Sequence, residues 1–286
     1  MRRKICLPMV AALCTITAQA ELPLSLEGVS PQQRRMKLGL SMTYYNRNAD
    51  VYTQGSNYFL TPQNTLIEIP TRLQTGEQNT DMLYGNLSFQ YGLSENTEIY
   101  TNLGAFWQQN RYTMNNLSLS DNKSELAEIT LGLNHVLLRD GANPMLIGVV
   151  ETAALEKIGG GTHHGKSWFV GINAYKAIDP VVFSLNAGYR FHLKHNDDYR
   201  LGNYWLVRPG VSFAANDRVS FNAKLQWIGK QGDRINGTKQ AFETNSRASI
   251  GVGYAVSAQT SLSADAQWHL SGNEGSNITF ALQHRF

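Results

Sequence analysis

Residues 181–193 read VVFSLNAGYRFHL. Val181, Phe183, Leu185, Ala187, Tyr189, Phe191 and Leu193 fall on one face of an extended chain, and Val182, Ser184, Asn186, Gly188, Arg190 and His192 fall on the other. A period of two with one greasy face is the pattern of a β-strand between unlike surroundings. The run is also long. Strands of water-soluble domains usually span about five or six residues, whereas a strand tilted across a bilayer needs about nine to eleven.

The alternation recurs along the chain. Leu83, Gly85, Leu87, Phe89 and Tyr91 alternate with polar or small neighbours, as do Val219, Phe221, Ala223, Leu225 and Trp227. Ala248, Ile250, Val252 and Tyr254 repeat it, and so do Leu262, Ala264, Ala266 and Trp268. Expected strands cover 36–46, 82–92, 97–107, 125–137, 144–155, 167–177, 181–193, 203–214, 218–228, 244–255, 260–270 and 277–286, about twelve in all and even in number. Short turns at 92–97, 139–144, 178–180, 215–217 and 257–260 alternate with longer loops, the longest over 47–81. This pattern predicts an all-β fold, a transmembrane antiparallel up-and-down β-barrel of about twelve strands over 36–286. Hydrocarbon offers no water to backbone amides, so only helices or closed barrels cross it. A soluble β-sandwich of this length would need shorter strands and Greek-key crossings.

The last residues, NITFALQHRF (277–286), carry Ile278, Phe280, Leu282 and Phe286 on one face. A chain end usually frays unless it is tied down; here it is expected to pair with the first strand and close the cylinder. Tyr44, Trp107, Trp168, Trp205, Trp227 and Trp268 lie near strand ends, where an aromatic girdle meets the membrane surface. The long loop can fold into the lumen, and SNYFLTPQNTLIEIP (56–70) within it reads as a hairpin of its own.

The N-terminus has the order of a secretory signal peptide: basic Met1–Lys4, apolar Ile5–Thr17, then Ala18-Gln19-Ala20 before Glu21. The apolar run is short for a membrane span, which needs about twenty residues. Both cysteines, Cys6 and Cys14, lie in this segment, so the chain after cleavage near Ala20 would have neither disulfide nor thiol chemistry. The full chain has 25 Lys and Arg against 22 Asp and Glu, and the segment removes three cations and no acid, leaving zero. Nothing argues for a nucleic-acid partner. Residues 21–35 form a short periplasmic segment broken by Pro23 and Pro31.

By parity, Arg190, Arg208, Lys224 and Arg247 point into the lumen from consecutive strands and form a basic wall. Glu128 and Glu151, with Glu98 lower down, point in from the opposite side, and Asp265 sits beyond the basic wall. Met145, Ile147 and Val149 share the parity of Glu151 and are apolar. Such walls set solute selection in a pore, or brace a closed lumen as ion pairs. If they line a pore, Arg190→Glu or Glu151→Lys should change ion selectivity.

Two motifs suggest chemistry. Residues 160–167, GGTHHGKS, fit the phosphate-loop pattern, but Ser167 onward alternates as a strand where that motif needs a helix. His269 and Ser271 have the spacing of an outer-membrane lipid hydrolase pair, with Asn273 and Asn277 nearby to orient a base. No metal or other cofactor is expected.

YGLSENTEIY (91–100), YKAIDPVVFSLNAGYRF (175–191), AANDRVSFNAKLQW (214–227) and the terminal Phe286 together resemble the transporter-like outer-membrane barrels named after a meta-pathway phenol-degradation protein. That barrel type is similar to the membrane domain of functional-amyloid secretion channels, which differ in carrying a long periplasmic coiled coil. The resemblance implies a channel in the outer membrane of a Gram-negative bacterium, among outer-membrane lipids. It implies assembly by the barrel-assembly machinery through a signal at Phe286. The cargo would be small organic solutes, aromatic ones among them, or a secreted polypeptide, passed without covalent chemistry. The alternatives are a lipid hydrolase and a pore-less structural or adhesive barrel.

Overall fold

The computed structural model describes residues 31–286, apart from 52–55, 71–75, 115–116, 159–160, 195–198 and 272–274. The expected signal segment lies outside the described residues. Among the described residues there is no helix. Twelve long strands form the barrel wall. They are β1 (Met36–Val51), β2 (Gly76–Gly92), β3 (Thr97–Met114), β4 (Leu117–Leu138), β5 (Met145–Ile158) and β6 (Ser167–Ile178). They continue as β7 (Val181–His192), β8 (Tyr204–Ala214), β9 (Val219–Lys230), β10 (Glu243–Ala255), β11 (Thr260–Ser271) and β12 (Ser276–Arg285).

Each strand pairs antiparallel with the next, and β12 returns to β1 with Leu40 opposite Leu282 and Tyr44 opposite Ile278. The Phe286 N–H donates to the Met36 carbonyl at 2.9 Å, so the terminal aromatic is held by the first strand. Among the described residues, no edge of the wall is left open to pair with another chain.

Three of the five short turns at one end share one chemistry. Ser94, Asn216 and Ser257 each stand at the second turn position, and each side-chain oxygen accepts the N–H groups two and three residues on. Short polar side chains that cap their own backbone favour such turns over further strand. At the other end, β3 and β4 run well beyond the expected limits, and β2 begins at Gly76 rather than near 82. The alternation fades there because the outer face turns polar, so that Arg111, Thr113, Ser120, Asn122 and Ser124 are exposed on it while polar Gln108 and Asn110 are buried on the inner one.

The wall is inverted relative to a soluble domain. Leu40, Leu87, Phe183, Val170, Ile250 and Phe280 are exposed on the outside, while polar and charged side chains are buried within. Trp168, Trp205, Trp227 and Trp268 mark the long-loop end, and Phe183, Phe213, Phe221 and Tyr254 the short-turn end. From Trp205 down to Phe213 is about 26 Å of strand at roughly 3.3 Å per residue. Tilted by about 40°, that spans most of the ~25 Å apolar band of such barrels.

Inside, tyrosines lie flat on glycines of the neighbouring strand. A Cβ at Gly104 would strike the Tyr84 hydroxyl, and one at Gly132 the Tyr100 ring. The glycines let two large inward rings lie along the wall instead of across the lumen.

Candidate functional site

The long loop does fold back into the barrel. Ser56–Leu60 and Leu66–Pro70 form a two-stranded hairpin, with Asn57 opposite Ile69 and Phe59 opposite Ile67. Its turn closes on itself: Thr61 N–H donates to the Thr65 carbonyl at 2.8 Å, and Asn64 N–H to the Thr61 carbonyl at 3.0 Å. Asn64 takes φ of 65°, a left-handed value that asparagine tolerates well.

The hairpin spans the lumen from wall to wall. Phe59 sits 5.3 Å from the Tyr45 ring and 6.0 Å from the Tyr84 ring, on β1 and β2. Leu60 and Leu66 form a buried cluster with Tyr204, Leu206 and Ile228, on β8 and β9. A polar latch adds direction. Tyr204 donates its hydroxyl to the Asn64 carbonyl, and Arg208 Nη2 donates to Asn64 Oδ1 at 2.9 Å. Arg208 Nε also donates to Gln226 Oε1 at 2.9 Å.

The predicted wall residues fall into three groups. Arg190 and Glu151, expected on opposing walls, bind each other directly across the intervening β6, and both are buried. Tyr100 donates to Glu151 at 3.0 Å, Arg190 stacks 5.5 Å from the Phe169 ring, and Ser167 links Arg190 at 3.4 Å to Glu156 at 2.6 Å. Glu128 is fully buried and accepts from Tyr84 at 2.8 Å. The third group lies on the opposite wall. Lys224 faces Asp265 at 3.5 Å, Arg208 holds the hairpin, and Arg247 Nε donates to Asn245 Oδ1 at 3.2 Å. Glu98 is paired with Lys37 at 3.0 Å near the short turns.

Sequence reading missed the aromatic seats of the hairpin, Tyr45, Tyr84 and Tyr204. Their inward parity could have been read, but not which of them would meet residues from a distant loop. Met145, Ile147 and Val149 do face inward. Met145 and Ile147 form a small buried cluster with Val136, and Tyr175 packs against it.

Two cavities flank the hairpin. One, of about 190 Å³, lies between Phe59–Pro62 and the wall carrying Arg208, Lys224 and Asp265. The other, of about 260 Å³, lies between Gln63–Asn64 and the lower wall.

The other motifs take up ordinary structural places. Gly161–His163 pairs back on β5, Gly165 turns with φ of 62°, and Ser167 opens a strand rather than a helix. Ser271 Oγ lies 2.8 Å from Ser246 Oγ, and Asn277 donates to Gln267 at 3.0 Å. Asn273 lies outside the described residues.

No protein-family model and no curated protein matches the chain. Its backbone superposes on an outer membrane channel from Pseudomonas putida F1 with a TM-score of 0.63, at 12% identity, over 90% of this chain and 97% of that one. The fold is that of an outer-membrane barrel. The translocator domain of autotransporter NalP from Neisseria meningitidis gives 0.52 at 10% identity, over 89% and 88% of the two chains. The β-domain of the Bordetella autotransporter BrkA gives 0.50 at 12%, over 87% and 99%. At the level of fold, these neighbours bear out the resemblance to transporter-like outer-membrane barrels.

Proposed function

We propose that this barrel is a plugged channel of a Gram-negative outer membrane, passing small organic solutes by passive selection. The observation that carries the reading is the lumenal hairpin, seated by apolar contacts on two walls and latched at Asn64. A barrel that only anchors a surface structure needs no such device. The flanking spaces, about 190 and 260 Å³, suit small solutes better than an extended polypeptide. With the termini and short turns on the periplasmic side, the hairpin enters from outside the cell. Phe286 would serve the assembly machinery, and lipids would cover the greasy exterior.

The latch gives a direct test. A hydrogen bond to a charged group contributes about 1.5–3 kcal/mol and a neutral one about 1 kcal/mol. Arg208→Gln should therefore raise the open probability in planar bilayers about tenfold or more, and Tyr204→Phe about fivefold. Equal opening in both variants and the parent would remove the hairpin from the gate.

Selection would come from charges that stay in the solute's path. Lys224, whose side chain is 39% exposed, is better placed than the buried Arg190. With Arg208 and Arg247 it forms a cationic wall on β8–β10, opposite Glu128 on β4. Lys224→Glu should shift the reversal potential in a salt gradient toward cation preference; an unchanged potential would take this wall out of the pathway.

A further inference from the structure

The larger cavity has a lining with a definite chemistry. Gln63 and Asn64 reach it from the hairpin, and Gln90, Asn102, Asn173 and Asn186 from the wall. These are neutral amides, each able to donate and to accept. The one carboxylate present, Glu151, is already held by Arg190 and Tyr100. A charged solute would thus meet no free counter-charge here. A purely apolar solute would strip water from several amides and return no hydrogen bonds, which is unfavourable.

Two acceptors point the same way. Gln63 Oε1 and Asn186 Oδ1 are buried and have no hydrogen-bond partner among the described residues. Asn186 spends its amide N–H on Asn173 Oδ1, so its oxygen remains for an outside donor. One of these acceptors sits on the hairpin and the other on the wall. Val149 and Phe169 supply the apolar part of the lining. Phe169 lies against Gly171 and Gly188, where a Cβ would strike its ring.

We infer that this cavity is a binding site for a neutral, polyhydroxylated solute of about monosaccharide size. Hydroxyl groups donate to the two free acceptors and accept from amide N–H groups, and the C–H face of the ring rests on the apolar part. The volume of about 260 Å³ corresponds to roughly eight or nine waters at about 30 Å³ each, enough for a single sugar ring and too little for a chain of them. The site deepens the channel reading and rests on it. A bound solute bridging Gln63 to Asn186 would also engage the hairpin, so occupancy and opening are linked.

The test uses the full chain folded in detergent, with D-glucose, D-galactose and D-mannitol as probes by isothermal titration. Phenol and triglycine serve as aromatic and peptide comparisons. At least one polyol is expected to bind, with phenol and triglycine weaker. Gln63→Leu and Asn186→Leu should each lower its association constant about tenfold, the loss of roughly one hydrogen bond. Gln63 is on the hairpin, so its replacement leaves the wall pairing intact even if Asn186→Leu impairs folding. No binding of any polyol, tighter binding of phenol or triglycine, or affinity unchanged in Gln63→Leu would overturn the site. Conductance of the chain with residues 56–70 replaced by a linker separates the two claims. If that chain conducts while the intact one binds no polyol, this site alone is overturned; if it stays silent while the intact one binds, the channel reading alone is overturned.

Discussion

Replacing residues 56–70 with a short glycine-serine linker should turn a mostly silent barrel into a steadily conducting one. Phe59 is 1% exposed and Leu60 3%, and burying side chains of this kind contributes about 1.5–3 kcal/mol each. With the Asn64 latch, the closed state should lead by about 3 kcal/mol or more, so the intact chain is open less than about one part in a hundred. Removing the hairpin should raise the mean conductance in a planar bilayer about a hundredfold. The barrel should survive, because its closure runs through pairings such as Lys37 with Arg285 and Tyr44 with Leu83, none of which involves the hairpin. Loss of the folded form on a gel would separate misfolding from closure. A folded, linker-bearing barrel that stays silent would sink the gate.

The second large effect is on stability. Arg190 is 1% exposed and Glu151 4%, and Glu128 and Glu156 are buried nearby. Arg190→Leu would leave Glu151 charged in the interior without its partner. Breaking a buried pair from one side costs about 3–5 kcal/mol, whereas replacing both members by apolar groups is often close to neutral. The single variant should therefore unfold at clearly lower guanidinium concentration in detergent, and Arg190→Leu with Glu151→Leu should recover much of the loss. Equal midpoints for the single variant and the parent would show that the pair does not hold the wall together. The same burial changes what Arg190→Glu would report: a fold defect before any change of selectivity.

The strand pattern was legible because membrane and lumen impose opposite demands on alternate residues, as VVFSLNAGYRFHL shows. It failed where β3 and β4 run past the apolar band and the outer face turns as polar as the inner one. The hairpin was legible too, since SNYFLTPQNTLIEIP has two extended runs around a Pro-Gln-Asn turn. Parity put Arg190 and Glu151 inside, but parity fixes only a face. It does not say that a side chain reaches across β6 to its neighbour-but-one, so two walls were expected where a local pair stands. The seats of Phe59 and Leu60 depend on contacts between distant parts of the chain, and no local pattern encodes those.

The hairpin is tied to the wall at both ends, through β1 and β2. A plug held this way is never diluted. After any displacement, its concentration near its own seat is set by the tether and stays in the millimolar range or higher. In the proposed channel, reclosure would therefore be a first-order event, indifferent to how much protein the membrane holds and needing no second component to reset it. Each passage would leave behind the same barrel, ready to close at a rate fixed by the length of its own loop.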